Sequence, residues 1–243
     1  MEKLVYLLWG EAPAGSDRYR DLLVGELAPR LAALGATDLT ISVDDSGSDC
    51  PSPVPTPDGE APHVAAISFT LPCHDRRAPL EAAIESAATS AGLRAAGYLV
   101  SGAVYTDYGD NEYAGPRSWP AGERSPAVLT VCLIHRPAGA DPATWVRQWH
   151  DVQSPVSAEI QPRMRYVRNE VIRALTPDAP PVDGIVEEAW PSAEHIVDPM
   201  LFFNGFGDRD RMNANISRML DSVGSFIDMD RMRNVTMSEY LMT

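Results

Sequence analysis

A chain of 243 residues, 44% hydrophobic and 22% charged, is long enough for one large domain or two small ones and has the make-up of a soluble globular protein. Its formal net charge of -14 opposes phosphate backbones and anionic lipids, which argues against nucleic acid or a membrane as partner. Three cysteines at wide spacing (Cys50, Cys73 and Cys132), with no Cys-x-x-Cys, suit reduced thiols in a cytoplasm rather than a disulfide framework.

The first apolar run, from Leu4 to Leu8, predicts a strand over 3–9. It is too short for the apolar region of a signal peptide, and no run approaches the ~18 residues of a membrane span. A helix over 17–34 follows from Tyr19, Leu23, Leu27 and Leu31, which fall on one stripe. Ser16 or Asp17 is placed to cap it, because a short oxygen side chain accepts a free N–H of the first turn. Pro29 predicts a kink or break near its position. A strand over 37–43 comes next. Between Ser46 and Pro57, prolines at 51, 53, 55 and 57 can neither pair in a ladder nor continue a helix, which predicts an extended, mobile loop. A strand over 64–71, a helix over 79–91 and a strand over 94–106 complete the first half. Residues 109–126, with Pro116, Pro120 and Pro126, read as a linker.

The second half opens with a strand over 127–135. Asp141-Pro142 then starts a helix over 142–153, since proline fits the first helical position without losing a needed donor. Trp145, Trp149, Val152 and Val156 step along one expected face, and Pro155 predicts a late break. Strands over 164–173 and 183–190, helices over 193–203 and 209–221, and a strand near 231–237 follow. The 209–221 helix sets Met212, Ile216, Met219 and Leu220 against Arg209, Arg211 and Arg218, the pattern of a lid packed on a sheet.

Each half, 1–108 and 127–243, thus has the order β-α-β-β-α-β. That order gives an antiparallel four-stranded sheet with both helices on one face. The fold class expected is α+β: two tandem ferredoxin-like halves whose bare sheet faces pack together around a central cavity.

Three segments of the second half carry a resemblance: Trp149-His150-Asp151-Val152-Gln153-Ser154-Pro155-Val156, Arg165-Tyr166-Val167-Arg168-Asn169, and Val182-Asp183-Gly184-Ile185-Val186-Glu187-Glu188-Ala189-Trp190. Together with Phe226 to Arg231 they resemble the EthD family of dimeric α+β barrel proteins, over about residues 128–240. The resemblance implies a ferredoxin-like fold with a pocket between paired sheets, here formed within one chain. It also implies relatives that bind or transform small organic molecules: monooxygenases without metal or flavin, polyketide cyclases and dye-decolourising haem enzymes. Many members of that family carry His-x-Pro at the helix end, whereas Gln153 stands in that place here, with His150 one turn earlier. The first half resembles the family only in element order. Matching its helix proline to proline puts Val24 where the second half has His150.

Of the residues able to carry chemistry, His150 is the expected acid–base group, because an imidazole titrates near neutral pH. Packing at the helix end is its structural alternative. Tyr166 is the expected hydrogen-bond donor to a ligand oxygen, or else an amphipathic core residue. Asn169 lies three residues on, so only one of the two faces a given side of the strand. Asn169, Gln153, Trp149 and Trp190 are the expected ligand-binding residues, although tryptophans at helical spacing more often form core. Arg163, Arg165 and Arg168 could hold a carboxylate or pair with the abundant acids. Asp183-Gly184 reads as turn chemistry and Glu187-Glu188 as a solvated edge. No Gly-rich phosphate loop, nucleophile elbow or metal-spaced His or Cys pair occurs, so no metal and no cofactor is expected.

The expectation is a cytoplasmic protein performing cofactor-free acid–base chemistry on a small aromatic or apolar molecule: cyclisation, isomerisation or oxygenation. A non-catalytic binding or carrier module, or an assembly protein forming homo-oligomers of such pseudodimers, is the alternative.

Overall fold

The computed structural model describes residues 1–10, 17–57 and 59–242, so the expected cap at Ser16 lies outside the described residues. Among the described residues there are eight strands: β1 (Glu2–Trp9), β2 (Thr37–Val43), β3 (His63–Leu71), β4 (Arg94–Thr106), β5 (Val128–Ile134), β6 (Arg165–Ala174), β7 (Gly184–Trp190) and β8 (Arg233–Leu241). They close into one antiparallel barrel in the order β1-β3-β2-β8-β5-β7-β6-β4. The first four strands are ordered β4-β1-β3-β2 and the last four β8-β5-β7-β6, joined through β2–β8 and β4–β6. Closure leaves no sheet edge exposed for pairing with another chain.

The helices are α1 (residues 18–33), α2 (Ala78–Ala91), α3 (residues 142–160), α4 (Glu194–Val197), α5 (Pro199–Phe202) and α6 (Arg209–Val223). Among the described residues none is long and apolar enough to cross a membrane. Neither Pro29 nor Pro155 breaks its helix. Each follows a wide π turn, Asp21–Leu27 in α1 and Gln148–Gln153 in α3, after which the helix continues to Ala33 and Ile160. The Ala28 N–H donates to Leu23 O and the Ser154 N–H to Trp149 O, five residues back in both cases. Proline lacks an N–H and crowds the carbonyl four residues before it, and widening the preceding turn relieves both defects. The extra residue also turns the buried face of α3. Val152 is 41% exposed, and Gln153, Ser154 and Ser157 are buried in its place. Asp17 makes no cap; its Oδ1 accepts from the Ser46 hydroxyl at 2.7 Å.

Side chains alternate across the barrel wall. Val5, Leu7, Leu129, Val131, Leu133, Ile185 and Met237 form the buried cluster inside it. Aliphatic side chains thus fill the middle of the expected cavity between paired sheets, and a cavity of about 420 Å³ bordered by Lys3, Thr70, Tyr108 and Arg165 remains at one end. Towards one mouth the interior becomes ionic. Glu187, expected at a solvated edge, is 4% exposed there and lies 3.7 Å from Lys3 Nζ and 3.8 Å from Arg165. Asn169 faces the same interior, donating to Glu187 at 2.9 Å and to Ile185 O at 3.1 Å. Tyr166, on the same strand, faces outward, so the two lie on opposite sides of the barrel wall.

Outside the first sheet, Leu4, Tyr6 and Leu8 pack beneath Leu23, Leu27 and Leu31 of α1 and Leu80, Ala83 and Ile84 of α2. Tyr6 is opposite Gly97 on β4, where an added Cβ would come within 2.5 Å of its ring. The ring cannot swing away freely, being stacked on Phe69 with centroids 5.8 Å apart and tied to Glu81 at 2.7 Å. Gly97→Ala is thus expected to destabilise the fold by about 1–3 kcal/mol through overpacking. A urea unfolding midpoint equal to that of the parent would show that Tyr6 can be displaced.

Candidate active site

The outer face of the second sheet is built differently. Where β1 presents Leu4, Tyr6 and Leu8, β5 presents Thr130, Cys132 and Ile134, and the smaller side chains leave room beneath the helices. A cavity of about 620 Å³ lies between this face and α3, α5 and α6. Trp149, Trp190, Phe202, Met219 and Phe226 make most of its wall apolar. Met219, Leu220 and Val223 of α6 cover it, in keeping with the lid expected there.

The proline-rich segment of the first half supplies a further wall, through Pro51, Ser52, Pro53 and Val54. It is anchored rather than loose. Asp45 and Ser48 close a capping box at its start, and Thr236 Oγ1 donates to Cys50 O at 2.6 Å. The Ser52 hydroxyl donates to Asn234 O at 2.7 Å. Ala193 to Val197 close a smaller cluster with Cys50 and Trp190 above it.

Strand register brings the polar side chains of the cavity together. Thr130 pairs with Glu188 across β5 and β7, and Glu188 pairs with Tyr166 across β7 and β6. Three side chains of one face are thus neighbours in a row. Arg163, just before β6, donates to Glu188 at 2.5 Å and to Ser157 Oγ at 2.7 Å. Its guanidinium lies 3.9 Å from the Tyr166 ring centroid, a close cation–π contact. Arg163 Nε and Gln153 Oε1 are buried without a partner among the described residues. Gln153 donates from Nε2 to Met219 Sδ at 3.2 Å. A buried donor and a buried acceptor, unpaired and lining one cavity, are groups that a ligand can satisfy.

The expected site residues separate. Trp149, Gln153, Tyr166 and Trp190 line this cavity; His150 and Asn169 do not. The π turn places the half-buried His150 beside Trp149 with ring centroids 5.4 Å apart, and its Nε2 has no partner among the described residues. Burial, with Arg168 nearby, pushes its pKa below the usual imidazole range. The Tyr166 hydroxyl is already engaged, accepting from Trp149 Nε1 at 2.9 Å with Ser154 Oγ 3.4 Å away. Burial raises its pKa, so it stays protonated at neutral pH. Trp190 donates to Thr130 Oγ1 at 3.0 Å and stacks on Phe202. Asp183 accepts from the Arg136 N–H at 2.9 Å, consistent with turn chemistry. Gly184 has the Trp149 ring against it, 2.9 Å from where a Cβ would stand.

Arg163 and Glu188 became visible only through pairing. Each was a member of a charged cluster in the sequence; Arg163 lies an odd number of residues before Tyr166 and Glu188 sits on another strand, so only the cross-strand register and the turn before β6 bring them to its face. A haem fits poorly here: no histidine lines the cavity, and burial pushes the pKa of its one thiol, Cys132, far above the usual range.

No family model matches the chain, and no curated protein matches it. Solved structures do. An anthrone oxidase-like protein superposes with a TM-score of 0.53 at 11% identity, over 99% of this chain and 91% of its own. A monooxygenase-like protein from Lactobacillus acidophilus superposes with a TM-score of 0.50 at 9% identity, over 98% and 94%. A mutant chlorite dismutase from Candidatus Nitrospira defluvii gives a TM-score of 0.46 at 8% identity, over 98% and 91%. At these identities the likeness to the first two is one of fold alone.

Proposed function

We propose that the chain is a tandem of two ferredoxin-like halves, the second EthD-like, and that it performs cofactor-free proton-transfer chemistry on a small aromatic carbon acid. The observation that carries this reading is the row Thr130–Glu188–Tyr166 with Arg163, set at the polar end of an otherwise apolar cavity. Glu188 takes the role of base that His150 was expected to fill, because its carboxylate faces the cavity and the imidazole does not line it. Arg163 Nε is the donor available to a developing oxyanion. Tyr166 positions the guanidinium through its ring face and is not itself the donor. Gln153 Oε1 accepts from a ligand hydroxyl.

Oxygenation is the favoured reaction, since an anthrone oxidase-like and a monooxygenase-like protein share the fold. Anthrone is a suitable probe. Removal of its C10 proton gives an aromatic enolate, which O2 then oxidises; one O2 is consumed, and anthraquinone and one water form. Catalysed anthraquinone formation above the spontaneous rate, saturating with anthrone, is the expected result. A rate equal to that of buffer, with anthrone nonetheless bound as seen by tryptophan quenching, would leave a binding module in place of an enzyme.

A further inference from the structure

The two mouths of the barrel differ in chemistry. One carries the Lys3–Glu187–Arg165–Glu239 cluster, whose charges are satisfied by one another. The other is a cleft of about 640 Å³ where β1 ends in Trp9, β4 begins at Arg94, β5 runs into His135, and Arg231 and Arg233 lead into β8. It lies on the far side of β5 and β8 from the site described above: Leu133, Arg231 and Arg233 line this cleft, whereas Ile134, Met232 and Asn234 line the other cavity.

Three positive side chains at one opening are notable in a chain with 34 acidic and 20 basic residues. Glu60 engages Arg233 at 2.8 and 2.9 Å and balances it. The Arg94 guanidinium lies 5.7 Å from the Trp9 ring centroid and donates to Asp178 O at 2.9 Å. Arg231 is exposed at the rim.

His135 supplies the second, independent observation. It is 7% exposed, and its Nε2 lies 2.8 Å from Pro181 O. A carbonyl only accepts, so Nε2 carries the proton and Nδ1 is left as an acceptor. That Nδ1 is buried and has no partner among the described residues, and neither does Trp9 Nε1. Trp9 and His135, each with one buried unpaired nitrogen, therefore line the same cleft.

We propose that this mouth of the barrel binds a small aromatic carboxylate, with its ring against Trp9 and its carboxylate met by Trp9 Nε1, His135 Nδ1 and Arg231. Leu93, Leu133 and Pro180 give the ring an apolar bed. For His135 to donate, Nδ1 takes up a proton as the anion arrives. Burial opposes that proton most in the empty site, and Arg231 and Arg233 oppose it too, whereas the hydrogen bond to Pro181 O and the Asp183 carboxylate favour it. A bound carboxylate offsets the arginines, so binding and protonation strengthen each other, and affinity rises as pH falls.

Benzoate is the probe, because its own carboxylate does not titrate between about pH 6 and about pH 8, where an imidazole does. Calorimetric titration of the full chain at both ends of that range, in two buffers of different ionisation enthalpy, is expected to show saturable binding. Binding should be tighter at the lower pH, with proton uptake. Arg231→Gln, an exposed change, is expected to weaken binding about tenfold, the loss of one charge-assisted hydrogen bond. His135→Asn should abolish the proton uptake, and Arg231→Gln keeps the test decisive if that buried substitution unfolds the chain. Absence of saturable heat, an affinity unchanged by Arg231→Gln, or equal binding of acetate would each overturn the proposal. The second outcome would place benzoate in the other cavity.

Discussion

Arg165→Met is expected to destabilise the barrel by about 3–5 kcal/mol, because it removes the cation that joins two buried glutamates and leaves Glu239 without an ionic partner. Arg165 reaches Glu239 at 2.8 Å, Asp107 at 3.1 Å and Glu187 at 3.8 Å. Glu239 is fully buried and accepts from the Tyr108 hydroxyl at 2.6 Å. Burial holds the Glu239 carboxyl above its ordinary range, with Arg165 opposing that rise. Burial also works against ionised Glu187, but Lys3 and Arg165 prevail and hold it below its ordinary range.

The pH dependence follows from those directions. A carboxylate with a depressed native pKa adds stability above the ordinary carboxylate range and loses it as pH falls through the native value. Glu187 therefore contributes at neutral pH through Lys3 and Arg165, and the variant lacks the second of them. Without Arg165 both glutamates favour protonation more, so the deficit of the variant is greatest near neutrality and shrinks on acidification towards about pH 5. Urea unfolding of both proteins across that range checks this. A deficit independent of pH would mean that Arg165 acts through packing of its aliphatic stem.

Glu188→Gln is the second large effect. The amide keeps the size of the side chain and can still accept from Arg163, but it cannot take a proton. Turnover of anthrone should fall about 10²–10⁴-fold, the usual contribution of a general base, with little change in binding. His150→Gln should leave turnover within a few-fold of the parent, since that ring does not line the cavity. If the two variants instead exchange behaviours, the base is His150, and α3 must move to bring it in. Unchanged melting temperatures in both would exclude a trivial loss of fold.

The strand and helix order was legible because apolar periodicity is a local property. The stripe Tyr19, Leu23, Leu27 and Leu31 is buried as its spacing predicts, and β4 spans Arg94–Thr106 as read. Tyr166 and Asn169 take opposite faces, as an odd separation on a strand requires. The misreadings arose where one residue changes a register. The π turn at Gln148–Gln153 turned Val152 out and Gln153 in, and no periodicity calculation on a regular helix contains that extra residue.

The sequence by itself determined the elements, their alternation and the aromatic character of the cavity, since those depend on residues near one another in the chain. Only the tertiary structure decided which face of the sheet holds the opening. The middle of the barrel filled because Leu129, Val131 and Leu133 meet Val5 and Leu7 from the other half. The outer face of the second sheet opened because Thr130 and Cys132 are small where the first sheet carries Leu4 and Tyr6. Pairing of Glu188 with Tyr166, closure by Pro51 to Val54, and the unpaired nitrogens of Trp9 and His135 at the far mouth all join residues distant along the chain. Such contacts exist only once the barrel has closed, so no local pattern in the sequence encodes them.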